Sequence, residues 1–361
     1  MALENLVLQL METKWLKRLE GISLTDVPSN LLRKNVSSRL EHCLGIYKLG
    51  KLVVEKNDLP EEIAIACLLH DVGHAPFGHL SDLFVRIDEF GKDHEIFGSQ
   101  LIKGDAPEIQ ELLEKYGLDS QLVAEIIENK SMYSQFLHNP IDLDCLENIH
   151  RLYVEALYPI FKAEPYNPYK IANSYRFLNG KIHLNAECLK EVEKHVELRG
   201  IVYNWLWKDE NLKLWGMLGK ALDIAYECGS ISEGFFLMEN GEALKYLRNL
   251  EPTREIMRKI ERGELFHTVL RKILFNYPNV TFIPRRKRIE IENEIGDGVI
   301  CIVGSPPIRK KIDIPFNSKP NFSFNNENIY PLYFVVYCEK KRLIEEYRRR
   351  AIKICENLSD F

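Results

Sequence analysis

The 361-residue chain lacks any Cys-x-x-Cys pair, although it holds eight cysteines. They stand singly at positions 43, 67, 145, 188, 228, 301, 338 and 355, several within apolar runs such as "IAIACLLH" and "VVYCEKK". Single cysteines in apolar runs suit buried free thiols in a reducing compartment. No stretch approaches the ~20 apolar residues of a membrane span, so no membrane role is expected. No small-residue cleavage site follows "MALENLVLQLMETKWLKRL", which also carries acids, so a signal peptide is not expected and a cytoplasmic location is. A basic surplus is missing too. The net charge is −5, which argues against general coating of nucleic acid. No internal repeat is visible.

What is present is ordinary globular composition, with 45% hydrophobic and 28% charged residues. The length allows one large domain or two smaller ones, with a sizeable core. Charge is uneven: from Thr281 to Phe361 there are 15 Lys/Arg against 11 Asp/Glu. The basic clusters are "PRRKR" (284–288), "RKK" (309–311) and "YRRR" (347–350). Solvated faces explain them better than an anion-binding surface.

The first half reads as helices. "SSRLEHCLGIYKLGKLVVEK" (37–56) has helical spacing, and a second helix is expected over "EEIAIACLLHDVGHA". "DAPEIQELLEKYG" and "DSQLVAEIIEN" read as short helices capped by aspartates, and "IDLDCLENIHRLYVEAL" as another helix. In "YRFLNGKIHL" (175–184), Asn179-Gly180 between alternating runs signals a hairpin. Helices are expected from about Ala186 to Arg262, broken near Cys228–Gly234. Beyond Asn276, "VTFIP", "RIEIEN", "GVICIVG" and "YFVVYC" read as strands. "NSKPNFSFNNEN" (317–328) reads as a loop, and "KRLIEEYRRRAIKICENL" as a last helix.

The densest chemistry lies in "HDVGHAPFGHLSD" (70–82), against the apolar "IAIACLL". On a helix, His70 and Asp71 project about 100° apart and can reach one ion between them, while His74 lies one turn on from His70. A lone histidine beside a core segment is usually a satisfied core residue; this crowding is harder to dismiss. Further ligands must come from other helices. His42 upstream, and Asp142 and Asp144 downstream, are the candidates. Two His and two Asp suit Mn, Fe, Co, Ni or Zn better than Ca or Mg.

"RLEHCLG", "LLHDVGHAPFGHLSD", "HEIFGS" and "IDLDCLE" together resemble the HD superfamily of metal-dependent phosphohydrolases, above all its deoxynucleoside triphosphate triphosphohydrolase branch. More loosely, "YRFLNGKIHL", "LRGIVYNWLW" and "YFVVYCEKK" look like that branch's hairpin, its R-x-x-x-Y helix and a C-terminal lobe. The resemblance implies a mainly α protein: a helical HD core with a small hairpin and a C-terminal α+β lobe. The helical domain is placed at 1–265 (core 37–155, hairpin 175–184) and the lobe at 266–361.

The resemblance also implies a divalent transition metal held by His42, His70, Asp71 and Asp144, with Mg as an optional companion of the substrate. It places His74, His79, Asp82 and His94 at the reacting phosphate, with His79 protonating the leaving oxygen and Asp82 orienting it. Arg39, Arg199 and Tyr203 become candidate substrate contacts. The implied reaction cleaves a dNTP to deoxynucleoside and triphosphate, in a homo-oligomer. Three positions depart from that branch: Cys145, Asn148 and Leu152 stand where it often has Lys, Tyr and Asp, while Glu147 keeps an acid. A neutral or apolar side chain cannot replace a charge-assisted bond to phosphate. Two alternatives stay open: an HD phosphodiesterase or nuclease acting on cyclic nucleotides or single-stranded nucleic acid, and a regulatory protein that binds a nucleotide without turnover. Nucleic acid is not favoured, because the basic clusters show no aromatic stacking platform around them.

Overall fold

The computed structural model describes residues 2–139, 141–274, 282–305, 312–316, 319–324 and 332–357. Helices dominate, with two small sheets. Helix α1 (Arg39–Asn57) starts at a capping box: Ser38 Oγ accepts from the Glu41 amide, and Glu41 Oε2 accepts from the Ser38 amide at 2.9 Å. Its buried face carries His42, Cys43, Ile46, Leu49 and Val53, a helical stripe. That stripe packs on α2 (Glu62–Leu69), in which every residue from Ile63 to Leu69 is buried. A helix apolar on all sides belongs at the centre of a core, and α1, α4 (Ser120–Ile127) and their neighbours surround it.

Helices α3 (His94–Gln100) and α5 (Leu143–Leu152) complete the shell around the motif. Asp142 caps α5, accepting from the Cys145 amide at 2.6 Å. The hairpin forms as expected, β1 (Tyr175–Leu178) against β2 (Lys181–Leu184), with Asn179 and Gly180 at φ 51° and 74°. Long helices α6 (Leu189–Leu206) and α7 (Asp209–Glu227) lead to the lobe. There β3 (His267–Leu274), β7 (Leu332–Cys338) and β4 (Val299–Gly304) form an antiparallel sheet in the order β3-β7-β4. Helices α8 (Arg285–Ile295) and α9 (Ile344–Glu356) pack with that sheet. Strands β5 (Ile312–Phe316) and β6 (Lys319–Phe324) extend the hairpin sheet, in the order β1-β2-β5-β6.

One apolar core runs from Leu3 to Trp205. A second joins Ala75, Phe77 and Phe84, next to the motif, to α7 and to Ile300, Ile302 and Val335 of the lobe sheet. A third lies between that sheet and α8 and α9.

Several local expectations fail. Helix α2 stops at Leu69, so His70–Gly73 form turns, and His70 and His74 do not share a helix face. "RIEIEN" lies in α8: the buried residues Arg285, Arg288, Ile291, Glu292 and Ile295 are helically spaced, and three are charged, which hides the stripe. "HTVLRKIL" is a strand, overlooked because β3 is an edge strand on which only Val269 is buried. Residues 319–324, expected in a loop, form β6. Asp105 caps no helix; the helix Pro107–Lys115 begins after Ala106. Of "VTFIP", Val280 and Thr281 lie outside the described residues, Phe282 makes a single bridge to Gly304, and Pro284 starts α8. "RKK" (309–311) also lies outside the described residues.

Candidate metal centre and cleft

The motif turn is held by its backbone. Buried Arg18 donates to the Val72 carbonyl at 3.1 Å, and buried Arg86 donates to the Gly73 carbonyl at 2.9 Å. Gly73 has no room for a side chain: a Cβ there would lie 2.1 Å from the His94 carbonyl oxygen. The turn therefore rests directly on α3, and the His74 ring stacks on the His94 ring at 3.8 Å.

The first group of side chains faces one point. His42, His70 and Asp71 each offer a donor atom within 4.8 Å of the others. Asp144 joins them, with its Oδ1 2.9 Å from His42 Nε2 and 3.9 Å from His70 Nε2. Both rings are oriented from behind. His70 Nδ1 donates to the Cys67 carbonyl at 2.9 Å, which turns Nε2 toward the other donors. That Nε2 is buried and makes no hydrogen bond. His42 Nδ1 meets Glu147 Oε2 at 2.5 Å, and Arg151 holds the other Glu147 oxygen. Gly45 makes room for this: a Cβ there would lie 2.2 Å from Glu147 Oε1. Carboxylate–histidine pairs of this kind orient metal ligands.

Electrostatics fit a cation. Burial pushes the His42 pKa down, but hydrogen bonds to Asp144 and Glu147 outweigh it and raise it to about 10. Burial raises the carboxyl of Asp144, but His42 brings it down to about 2. A donor set that grips a proton this firmly is built around positive charge. Burial opposes ionisation of Asp71, yet His70, Arg39 and His74 hold it well below the usual carboxylate range. Arg39 donates to Asp71 Oδ2 at 2.7 Å. The orphaned Nε2 of His70 and the two-His, two-Asp donor set thus fit a divalent transition metal. Asp142 is not part of this set, because capping α5 occupies it.

The second group is His74, His79, Asp82 and His94, whose ligand-type atoms also lie within 4.8 Å of one another. Asp82 was expected to orient His79. Its Oδ2 instead meets His94 Nδ1 at 2.9 Å, and Arg86 lies 3.4 Å from Oδ1. His79 is held through its backbone, its amide donating to Asp26 Oδ1 at 3.0 Å, and its ring meets His74 and His94 edge-to-face, both at 4.9 Å. Protonation divides the three rings. Burial lowers the His94 pKa, but the bond to Asp82 prevails and raises it. His74 falls well below the ordinary value through burial, Arg39 and His94. His79 falls through burial and the charge of His94. His94 therefore holds a proton more firmly than His74 and His79 do.

Both groups open on a cleft of about 500 Å³. His42, His70, Asp71, Asp144, His79, Asp82, His94 and Arg39 line it, as does Tyr203. His74 does not: it is fully buried under the His79 and His94 rings. Arg199 lies behind Tyr203, buried, its guanidinium 5.8 Å from that ring. Asn148 and Leu152 line the cleft, whereas Cys145 turns toward His195, 3.9 Å away. No spacing or motif marks Arg18, Asp26, or the wall made by Trp207, Trp215 and Phe282. Arg86, one turn after Asp82, is the exception that helical spacing could have flagged.

Residues 39–143 match the HD domain family. YwfO, an uncharacterized protein of Bacillus subtilis, is 26% identical over 219 residues, covering 57% of this chain and 48% of its own. An uncharacterized protein of Methanocaldococcus jannaschii is 26% identical over 153 residues, covering 41% of this chain and 30% of its own. The matched part thus spans half or less of these relatives. The crystal structure of a hypothetical protein from Aquifex aeolicus has the same fold, with a TM-score of 0.73, 17% identity, and coverage of 95% of this chain and 94% of that one.

Proposed function

We propose that this chain, which contains an HD domain, is a metal-dependent hydrolase of nucleotide phosphate esters, with a deoxynucleoside triphosphate as the first candidate. The observation that supports it best is the pairing of two groups across Asp71: a carboxylate-rich set around His42 and His70, and an imidazole-rich set around His94. His42, His70, Asp71 and Asp144 would hold the ion. A divalent ion bound there supplies Lewis-acid polarisation of the phosphoryl group and eases ionisation of water.

The chain's own residues do the rest. His94, charged and braced by Asp82, places positive charge beside the ester. His79 faces the cleft and is neutral at rest. An incoming phosphate dianion raises its proton affinity, so that it can carry the proton delivered to the leaving oxygen. His74 touches no part of the cleft and acts as a positioning residue beneath both rings. Arg39 fixes Asp71 and adds charge near the phosphate.

The test is a product assay of purified, Mn-loaded protein against dNTPs, NTPs, cyclic nucleotides and short oligonucleotides. Deoxynucleoside and triphosphate are the expected products. If only cyclic nucleotides or oligonucleotides are cut, the phosphodiesterase reading replaces this one. If nothing is cut but a nucleotide raises the melting temperature, the chain is a binding module.

A further inference from the structure

The cleft has two unlike sides. Its floor is the histidine–aspartate apparatus. An adjoining wall is aromatic: Trp207, Phe282 and Trp215 form a row, with Trp207–Phe282 at 6.0 Å and 25° and Trp215–Phe282 at 5.4 Å and 23°. The row is fixed. Trp215 Nε1 donates to Asp26 Oδ2 at 3.0 Å, Asp26 also takes the His79 amide, and Phe84 meets Trp215 edge-on at 5.0 Å. Leu137, Ile149, Leu152 and Leu206 add apolar surface.

Acidic side chains outnumber lysine and arginine on the same surface. Asp26, Asp71, Asp82, Asp93, Glu95 and Asp144 line the cleft. Among the described lining residues Arg39 is the one lysine or arginine, and it is already bonded to Asp71. Polyphosphates are bound through several charge-assisted bonds from Arg, Lys or added metal ions. Carboxylates lining a cleft repel a chain of phosphates, while a row of aromatic rings, with Trp215 anchored by Asp26, favours an apolar aromatic partner.

We infer that the preferred substrate carries a single phosphoryl group and an aromatic body lying along the Trp207–Phe282–Trp215 wall. The inference rests on the metal-dependent phosphohydrolase reading above and replaces the dNTP named first there with a monoester. In the reaction, a water oxygen bonds to phosphorus and the bond from phosphorus to the ester oxygen breaks. That oxygen leaves as an alcohol after taking one proton, and inorganic phosphate remains. The aromatic body can be a nucleobase or a plain aryl group, since both offer a π-face.

The test compares esters with the same leaving chemistry. 2-(2-Naphthyl)ethyl phosphate and n-butyl phosphate are both primary alkyl monoesters, so their intrinsic reactivity is alike. With Mn-loaded protein we expect kcat/KM to favour the naphthyl ester by at least about tenfold, in keeping with stacking energies. It should also exceed the value for dATP. Trp215→Leu should remove most of the naphthyl preference, read as the ratio of the kcat/KM values for the two monoesters in the same variant. Deoxyadenosine monophosphate, run alongside, distinguishes a nucleobase from a plain aryl body. A second readout needs no turnover: 2-(2-naphthyl)ethylphosphonate should quench the wall tryptophans at lower concentration than dATP. Should Trp215→Leu fail to fold, Leu152→Lys, which adds a cation to the cleft, should shift binding toward dATP. Faster cleavage of dATP than of the naphthyl ester, or equal rates for the two monoesters, overturns the inference and leaves the phosphohydrolase reading standing. Failure to cleave any ester takes down that reading alone, and the quenching order then decides the inference.

Discussion

The two histidine groups meet at one atom: Asp71 Oδ1 lies 3.2 Å from His70 Nε2 and 3.1 Å from His74 Nε2. On one side, Asp71, Asp144 and Glu147 surround two imidazoles. On the other, three imidazoles have Asp82, which bonds His94, and the shared Asp71, which His74 meets. Carboxylates in excess concentrate negative potential at a point, where a cation is stable. Imidazoles in excess cannot all be charged together, so protons are shared unequally and can be exchanged. The proposed function rests on that difference in giving ion holding to the first group and proton handling to the second.

The harshest way to break this comparison is to remove the shared atom. Asp71→Asn should reduce the metal content, read by elemental analysis, from about one ion per chain to background, and turnover should fall with it. A variant that keeps its metal would show that the first group does not depend on Asp71.

A smaller loss should come from the second group. His79→Ala should leave metal content unchanged and slow turnover by about 10²–10⁴-fold. Loss of the ion instead would move His79 into the ion-holding group and erase the distinction. Smaller still is the effect of a residue that acts through His42. Glu147→Gln keeps the shape but weakens the acceptor for His42 Nδ1. Metal affinity, measured by competition with a chelating dye, should fall by about 10–100-fold. At saturating metal, turnover should recover, because Glu147 does not line the cleft.

The two groups were not equally legible in the sequence. His42, His70 and Asp71 gather as the spacing of the motif suggested, even though the helix that was to carry His70 and Asp71 ends at Leu69. The chemistry survived that error because adjacent residues stay close in a turn as in a helix. The partner of Asp82 was misread, since i, i+3 spacing favoured His79. The choice is made by α3, which Gly73 allows against the motif turn, and sequence spacing does not encode that approach. In the lobe, Arg288 and Glu292 are buried because Asp223 and Lys220 await them, bonding Arg288 Nη1 at 2.8 Å and Glu292 Oε2 at 2.7 Å. An Arg-Ile-Glu-Ile alternation therefore looked like a strand although it packs as a helix. The aromatic wall was invisible for the same reason: Trp207, Trp215 and Phe282 share a surface and no spacing.

The finest test of the comparison is the proton on His94. Asp82→Asn keeps the volume and removes the charge that holds it. In the wild-type protein, burial lowers the His94 pKa but the Asp82 bond raises it, whereas Asp82 itself, raised by burial, is lowered by His94. The signs then follow. The contribution of His94 to stability is complete below the ordinary imidazole value of about 6.5 and fades as pH rises through its raised value. The contribution of Asp82 is complete above about 3.9 and fades as pH falls through its lowered value. The melting-temperature gap between wild type and Asp82→Asn should therefore be widest from about pH 4 to 6.5 and should narrow on the alkaline side. A loss of stability from the Arg86 contact would be a constant offset and leave that shape unchanged, since an arginine keeps its charge throughout. By NMR, the His94 ring should titrate at lower pH in the variant, while metal content stays at the wild-type level. Turnover should fall less than in His79→Ala, because Asp82 acts through a neighbour. A His94 titration that does not move would mean that its proton is held by something other than Asp82.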